Sequence, residues 1–195
     1  MKRNKNNTII IYFGQFYGIH RSARVAYNAM VDMVGEDHVY IATSERIDLK
    51  DVNFIPFGIK KDLIAAATGA ALDHVVQSSR NHIVSEIFNQ IEEDVADYIV
   101  LVAMDKNEKD KLRIDSVDND GNKSYFISLP TDSNYVTGND HAYPLPVSNY
   151  VRNVGILAAN EMKRIAEDDQ MTHEDKFTKF ESISGIANQE LFDRY

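Results

Sequence analysis

Cysteine is absent from this chain, which excludes a disulfide scaffold and a Cys-ligated zinc site. No run of about 18 apolar residues occurs, so no transmembrane helix is expected. The first apolar stretch, Thr8 to Tyr12, follows a basic, polar segment from Met1 to Asn7. It is too short for a signal-peptide core, and the expected location is the cytoplasm. Basic charge is also scarce: 21 Lys and Arg against 30 Asp and Glu give a net charge of −9. That balance argues against extended nucleic-acid binding, which needs clustered cations. It leaves room for one nucleotide, because backbone amides and a few cations suffice for a triphosphate. The six histidines show no spacing typical of a metal site, and no protein-held metal is expected.

What is present suits one domain spanning 1–195. Hydrophobic residues make up 44% and charged residues 26%, a globular rather than a disordered balance. Thr8 to Phe13 is short, β-branched and apolar on both faces, as a buried parallel strand should be. Gly14 ends it, and a helix is expected from Arg21 to Val34 with Val25, Ala26, Ala29, Met30 and Met33 inward. Gly35 stops that helix. A second strand is expected at His38 to Thr43, a helix at Lys60 to Thr68 and a short strand at Val75 and Val76. A further helix is expected at Ile83 to Glu93, with Ile83, Ile87 and Ile91 on one stripe, and a strand at Asp97 to Ala103. This alternation predicts an α/β fold, a Rossmann-like three-layer sandwich on a mostly parallel sheet. Its ligand crevice is expected at the C-terminal ends of the first and fourth strands.

The pattern is regular over 1–104 and less so over 105–195. The charge run from Asp105 to Asp115 reads as a solvated face. Tyr125 to Leu129 is a candidate strand. Thr131 to Val147 reads as a loop, long enough to suggest a contact surface. Tyr135, Tyr143 and Leu145 are its candidate contacts, and His141 within it reads as structural. Asn149 to Glu167 reads as a helix, and Ile186 to Arg194 as a short last one.

The candidate chemistry lies at the first strand-to-helix junction. Gly14 at the strand end lets backbone N–H groups approach a ligand. The helix that follows offers the positive end of its dipole to phosphates. His20 sits at that opening, where it is either a ligand contact or a solvated loop histidine. Gly18 reads as part of a tight turn. Arg21, Arg24, Lys60 and Lys61 are candidate anion contacts, with solvated cations the plainer alternative. Ser184 and Gly185 either cap the last helix or help hold a phosphate through its amides.

Gly14, Phe16 and His20 match three places of a G-x-F-x-x-x-H-x-G-H motif, with Ser22 and Ala23 in the last two. Thr43-Ser44 stands where a strand-ending T-S is expected. Asn53, Phe57 and Lys60 match three places of N-P-L-S-F-E-E-K. Ile183-Ser184-Gly185-Ile186-Ala187-Asn188-Gln189 parallels I-S-G-T-x-x-R, with Ile186 for Thr and Gln189 for Arg. In this ordered set, over nearly its whole length, the chain resembles the phage-type cytidylyltransferase-like proteins of the H-x-G-H nucleotidyltransferase superfamily. The resemblance implies a nucleotide-binding protein that transfers a nucleoside monophosphate from an NTP to a small acceptor. His20 would be its catalytic residue. Gly14, Phe16, Arg21, Arg24, Lys60, Ser184 and Gly185 would line the nucleotide, and Mg²⁺ would arrive with the phosphates.

Such catalysis is positioning plus electrostatic stabilisation, and each lost charge-assisted donor typically costs roughly 10²–10³ in rate. Ala23, Ile186 and Gln189 remove three, so whether the chain is an enzyme stays open. The alternative is an inactive nucleotidyltransferase-fold protein of the virion or its assembly, partnered by other virion proteins. On that alternative it would pass from the host cytoplasm into the particle.

Overall fold

The computed structural model describes residues 7–14, 16, 19–43, 55–78, 82–92, 94, 97–103, 125–127 and 158–194. Five strands form one parallel sheet: β1 Thr8–Phe13, β2 Val39–Thr43, β3 Val75–Gln77, β4 Ile99–Ala103 and β5 Tyr125–Ile127. Their order is β3-β2-β1-β4-β5, which puts β1 at the centre. Ile11 aligns with Tyr40 on one side and Val102 on the other. The chain steps outward through β2 and β3, then returns to the other side of β1 with β4. The strand order therefore reverses between β1 and β4, where open α/β sheets form their crevice.

The helices are α1 Ser22–Val34, α2 Phe57–Thr68, α3 Ile83–Ile91, α4 at 158–167, α5 His173–Ser184 and α6 Gln189–Asp193. The period-2 alternation of β1 sorts the layers. Ile10 and Tyr12 join Ala26, Met30, Leu63, Ile64, Met162, Phe180, Ile186 and Leu191, so α1, α2, α4, α5 and α6 cover one face. Ile9, Ile11 and Phe13 join Ile83, Val84, Ile87 and Phe88 of α3 on the other. This is a three-layer α/β fold. Among the described residues, no helix is long and apolar enough to cross a membrane.

Several boundaries differ from the sequence reading. The second strand starts at Val39, because His38 closes a 3-10 turn. Met33 is 55% exposed; α1 buries Ala23, Ala26, Ala29 and Met30, and Met33 falls outside that stripe. Helix α2 begins at Phe57 behind Pro56, which moves Lys60 from the helix start into its first full turn. Helix α5 was not anticipated at all. It is largely polar outside, anchored by buried Phe180 and capped by Thr172, whose hydroxyl accepts from the Asp175 amide at 3.1 Å. Helix α6 starts at Gln189 rather than Ile186, because Asn188 caps it through its side-chain oxygen. The charge run 105–115 and the loop 131–147 lie outside the described residues, as do Gly18, Ser44, Asn53 and the first part of the helix expected from 149.

Candidate functional site

The junction after β1 is shaped by one aromatic ring. Gly14 continues the ladder by donating its amide to the Ala42 carbonyl at 3.1 Å. A Cβ at Gly14 would lie 3.0 Å from Cε2 of Phe16, too close for any other residue without moving the ring. Phe16 also meets Tyr12 edge-on, with centroids 5.3 Å apart. To reach this position Phe16 adopts a φ of 45°, a left-handed conformation that bulky residues rarely hold and that concentrates at functional sites. Gly14 and Phe16 are thus one packing unit, a dependence that the sequence motif contains without explaining.

His20 follows, half-buried, and closes the first turn of α1: its carbonyl accepts from the Ala23 amide at 2.8 Å. Burial, reinforced by the adjacent Arg21 cation, pushes the His20 imidazole down to about 4. It is therefore neutral at neutral pH. Arg21 is exposed and stands at the N-cap of α1 without capping it through its side chain. No acidic residue occupies the first turn of α1, nor that of α2. By contrast α5 and α6 carry side-chain caps and acidic first turns. The positive ends of α1 and α2 are left without a neutralising carboxylate of their own.

The late segment comes to the same place. The Arg21 amide donates to the Ile183 carbonyl at 3.2 Å. Gly185 lies so close that a Cβ there would be 3.4 Å from Arg21 Cβ. Ser184 is fully buried; its hydroxyl donates to the Phe180 carbonyl at 2.8 Å and accepts from the Ile186 amide at 3.0 Å. Gly185 is left-handed, with φ 75°. Ser184 and Gly185 therefore finish α5 as a C-terminal cap, where the sequence reading had an N-cap before the last helix. Ser184 spends its hydroxyl on the turn, so the segment offers backbone rather than that side chain.

The three motif positions that lose a donor, Ala23, Ile186 and Gln189, have definite surroundings. Ala23 is 5% exposed and Ile186 is 3% exposed, within the core. Gln189 is exposed, and its amide lies 2.8 Å from His173 Nε2 and 3.1 Å from Asp193 Oδ1. None of the three presents a charged donor.

Lys60 departs from the solvated reading given to it. It is 1% exposed in α2, and burial lowers its amine to about 8. Arg24 is exposed, and its guanidinium lies 3.7 Å from where a Cβ of Gly69 would stand. Gly69 is the C-cap of α2, so Arg24 meets the negative end of that helix. The structure therefore brings Gly14 against Phe16, and Arg21 against Gly185 and the Ile183 carbonyl beside Ser184, whereas Arg24 is directed to α2. The carbonyl of Ile183 and the ring of Tyr12 are parts of this arrangement that the motif reading did not include. The left-handed glycine after an amphipathic Phe177–Phe180–Ile183 stripe was the available signal for the first. Among the described residues no group of three or more His, Asp or Glu could hold a metal ion.

Comparison with known proteins returns no matching family model, curated protein or solved structure.

Proposed function

We propose that this chain binds the phosphates of a nucleotide where α1 begins, as a nucleotidyltransferase-like protein. The observation that carries this reading is the meeting of two segments far apart in sequence. At the α1 N-terminus the Arg21 amide, next to His20 in the chain, donates to the Ile183 carbonyl at the end of α5, beside Ser184 and Gly185. Helix α1 follows β1, the strand beside which the order reverses, and open α/β sheets form their crevice at such a point. An anion there gains the α1 dipole, the Arg21 charge, and one hydrogen bond from a neutral His20. Lys60 is a further candidate cation on α2. Mg²⁺ would travel with the phosphates, needing few protein ligands of its own.

The reaction on this reading is transfer of a nucleoside monophosphate from an NTP to a small acceptor. His20 would stabilise charge on the phosphate as the acceptor oxygen attacks α-phosphorus and pyrophosphate leaves. Calorimetry with each NTP and Mg²⁺ tests the binding. Saturable heat with at least one nucleotide is expected, and no heat at millimolar concentration for any of the four would reject the proposal.

A second reading is favoured by Ile186 and Gln189, one in the core and one engaged with His173 and Asp193. On it the chain keeps the fold without transfer chemistry and serves as a virion or assembly component. A parent protein silent for pyrophosphate release yet stoichiometric in purified particles is its expected signature.

A further inference from the structure

A cleft of about 180 Å³ opens between α4, α5 and α6, on the terminal helices. Its walls are Met162, Ile165, Phe180 and Phe192, and its mouth carries His173, Lys176 and Asp193. The aromatic wall is ordered: Phe192 packs on Phe177, Phe180 and His173, at centroid distances of 5.5, 5.2 and 5.2 Å. The mouth is braced by the His173–Asp193 pair at 2.9 Å and by Lys176 Nζ, which donates to the Ala166 carbonyl at 2.9 Å.

Volume decides what can enter. Nucleotides and other small ligands occupy clefts of roughly 300–1,000 Å³, so this one is too small for them. A cavity of roughly 150 Å³ accepts a benzene ring, so one large apolar side chain fits. Charge decides what flanks that side chain. Glu167, Asp168 and Asp169 stand in the turn beside Ala166, and Glu174 and Asp175 open α5 beside His173. Glu167 has Lys163 at 3.9 Å in an exposed pair, Arg164 acts on Asp168, and Lys179 Nζ lies 3.7 Å from Met171 Sδ; surface pairs of this kind neutralise little. The stretch 166–175 contains five carboxylates and no Lys or Arg.

We propose that this cleft docks a partner protein through one aromatic or leucine side chain flanked by lysines or arginines. The side chain fills the Phe180–Phe192 cavity and the flanking cations lie on the acidic rim. This is an interaction surface separate from the α1 site, and it stands whether or not the chain binds nucleotide.

The probe is a fluorescent hexapeptide with two central phenylalanines between paired lysines, titrated at low salt into the full chain. Saturable binding is expected, weakened severalfold by raising salt from 50 to 200 mM. The Asp169→Lys/Glu174→Lys double variant, altered only at exposed positions, should weaken it at least fivefold. The Phe192→Ser variant should abolish it, and circular dichroism checks that this variant is folded. A control peptide with glutamates for lysines should not bind. No saturable binding of the lysine peptide, equal binding of the two peptides, or equal binding by the parent and the charge-reversed chain overturns the proposal. So does binding only after removal of residues 131–147, which would make that loop the cleft's occupant.

Discussion

The backbone amide of Arg21 donates to the backbone carbonyl of Ile183 at 3.2 Å, joining the start of the first helix to the end of α5. The bond uses no side chain, so it survives substitution at either residue. Side-chain packing beside it is close, with Gly185 against Arg21 Cβ. The candidate site depends on this junction more than on any single side chain.

Gly185→Ala should destabilise the protein by about 1 kcal/mol or more. Its φ of 75° disfavours any Cβ, and the new methyl would crowd Arg21 at 3.4 Å. A lower urea midpoint at unchanged slope is the expected result. An unchanged midpoint would mean the α5 cap tolerates a side chain.

Lys60→Met should change how the stability of the protein depends on pH above neutrality. Burial lowers the Lys60 amine to about 8, so at pH 7 the folded state holds a charge that burial disfavours. Between about 8 and the ordinary 10.5 the unfolded chain binds more protons than the folded one. Parent stability therefore rises with pH across that window, and the variant should lack that rise. A pH-independent difference would contradict this origin.

His20 gives the mirror case in acid. Its imidazole is pushed down to about 4, so the folded state leaves it neutral where the unfolded chain, with an ordinary 6.5, takes up a proton. Its contribution is intact above about 6.5 and is lost as pH falls toward about 4. His20→Gln should flatten the stability profile over that interval. An identical slope in parent and variant would assign acid sensitivity to other groups.

These charged groups mark where sequence reading stops. The sheet was legible because Ile9, Ile10 and Ile11, all buried, and Ile99 to Val102, buried at Val100 and Val102, are β-branched or aliphatic runs that fit little else. Helix α5 was not, because its apolar positions Phe177, Phe180 and Ile183 are sparse among charges, although Thr172 and Asp175 form its cap. Residue type argued for a solvated Lys60, and only tertiary packing buries it. Ser184-Gly185 is ambiguous by itself, since a serine before a glycine suits either end of a helix; the chain on each side decides. The meeting of Arg21 with Ile183 and Gly185 followed from no local pattern. Only the ordered motif resemblance suggested that the two ends of the chain share a site.

Restoring the motif residues tests what was lost. Ala23→His, Ile186→Thr and Gln189→Arg combined should be less stable than the parent by a few kcal/mol. Ile186 and Ala23 are nearly fully buried, and polar groups placed there are desolvated. If the variant nonetheless folds and binds nucleotide, pyrophosphate release should rise above the parent. Parent activity that disappears in His20→Ala would instead favour the enzyme over the inactive scaffold.

The central claim is that nucleotide phosphates sit where α1 begins, against the end of α5. Backbone amide chemical-shift mapping during titration with Mg²⁺-NTP tests it most directly. The account predicts the largest shifts at Gly14, His20, Arg21 and Ala23, together with Gly185 and Ile186. Shifts confined to other elements, or none at millimolar nucleotide, would contradict it.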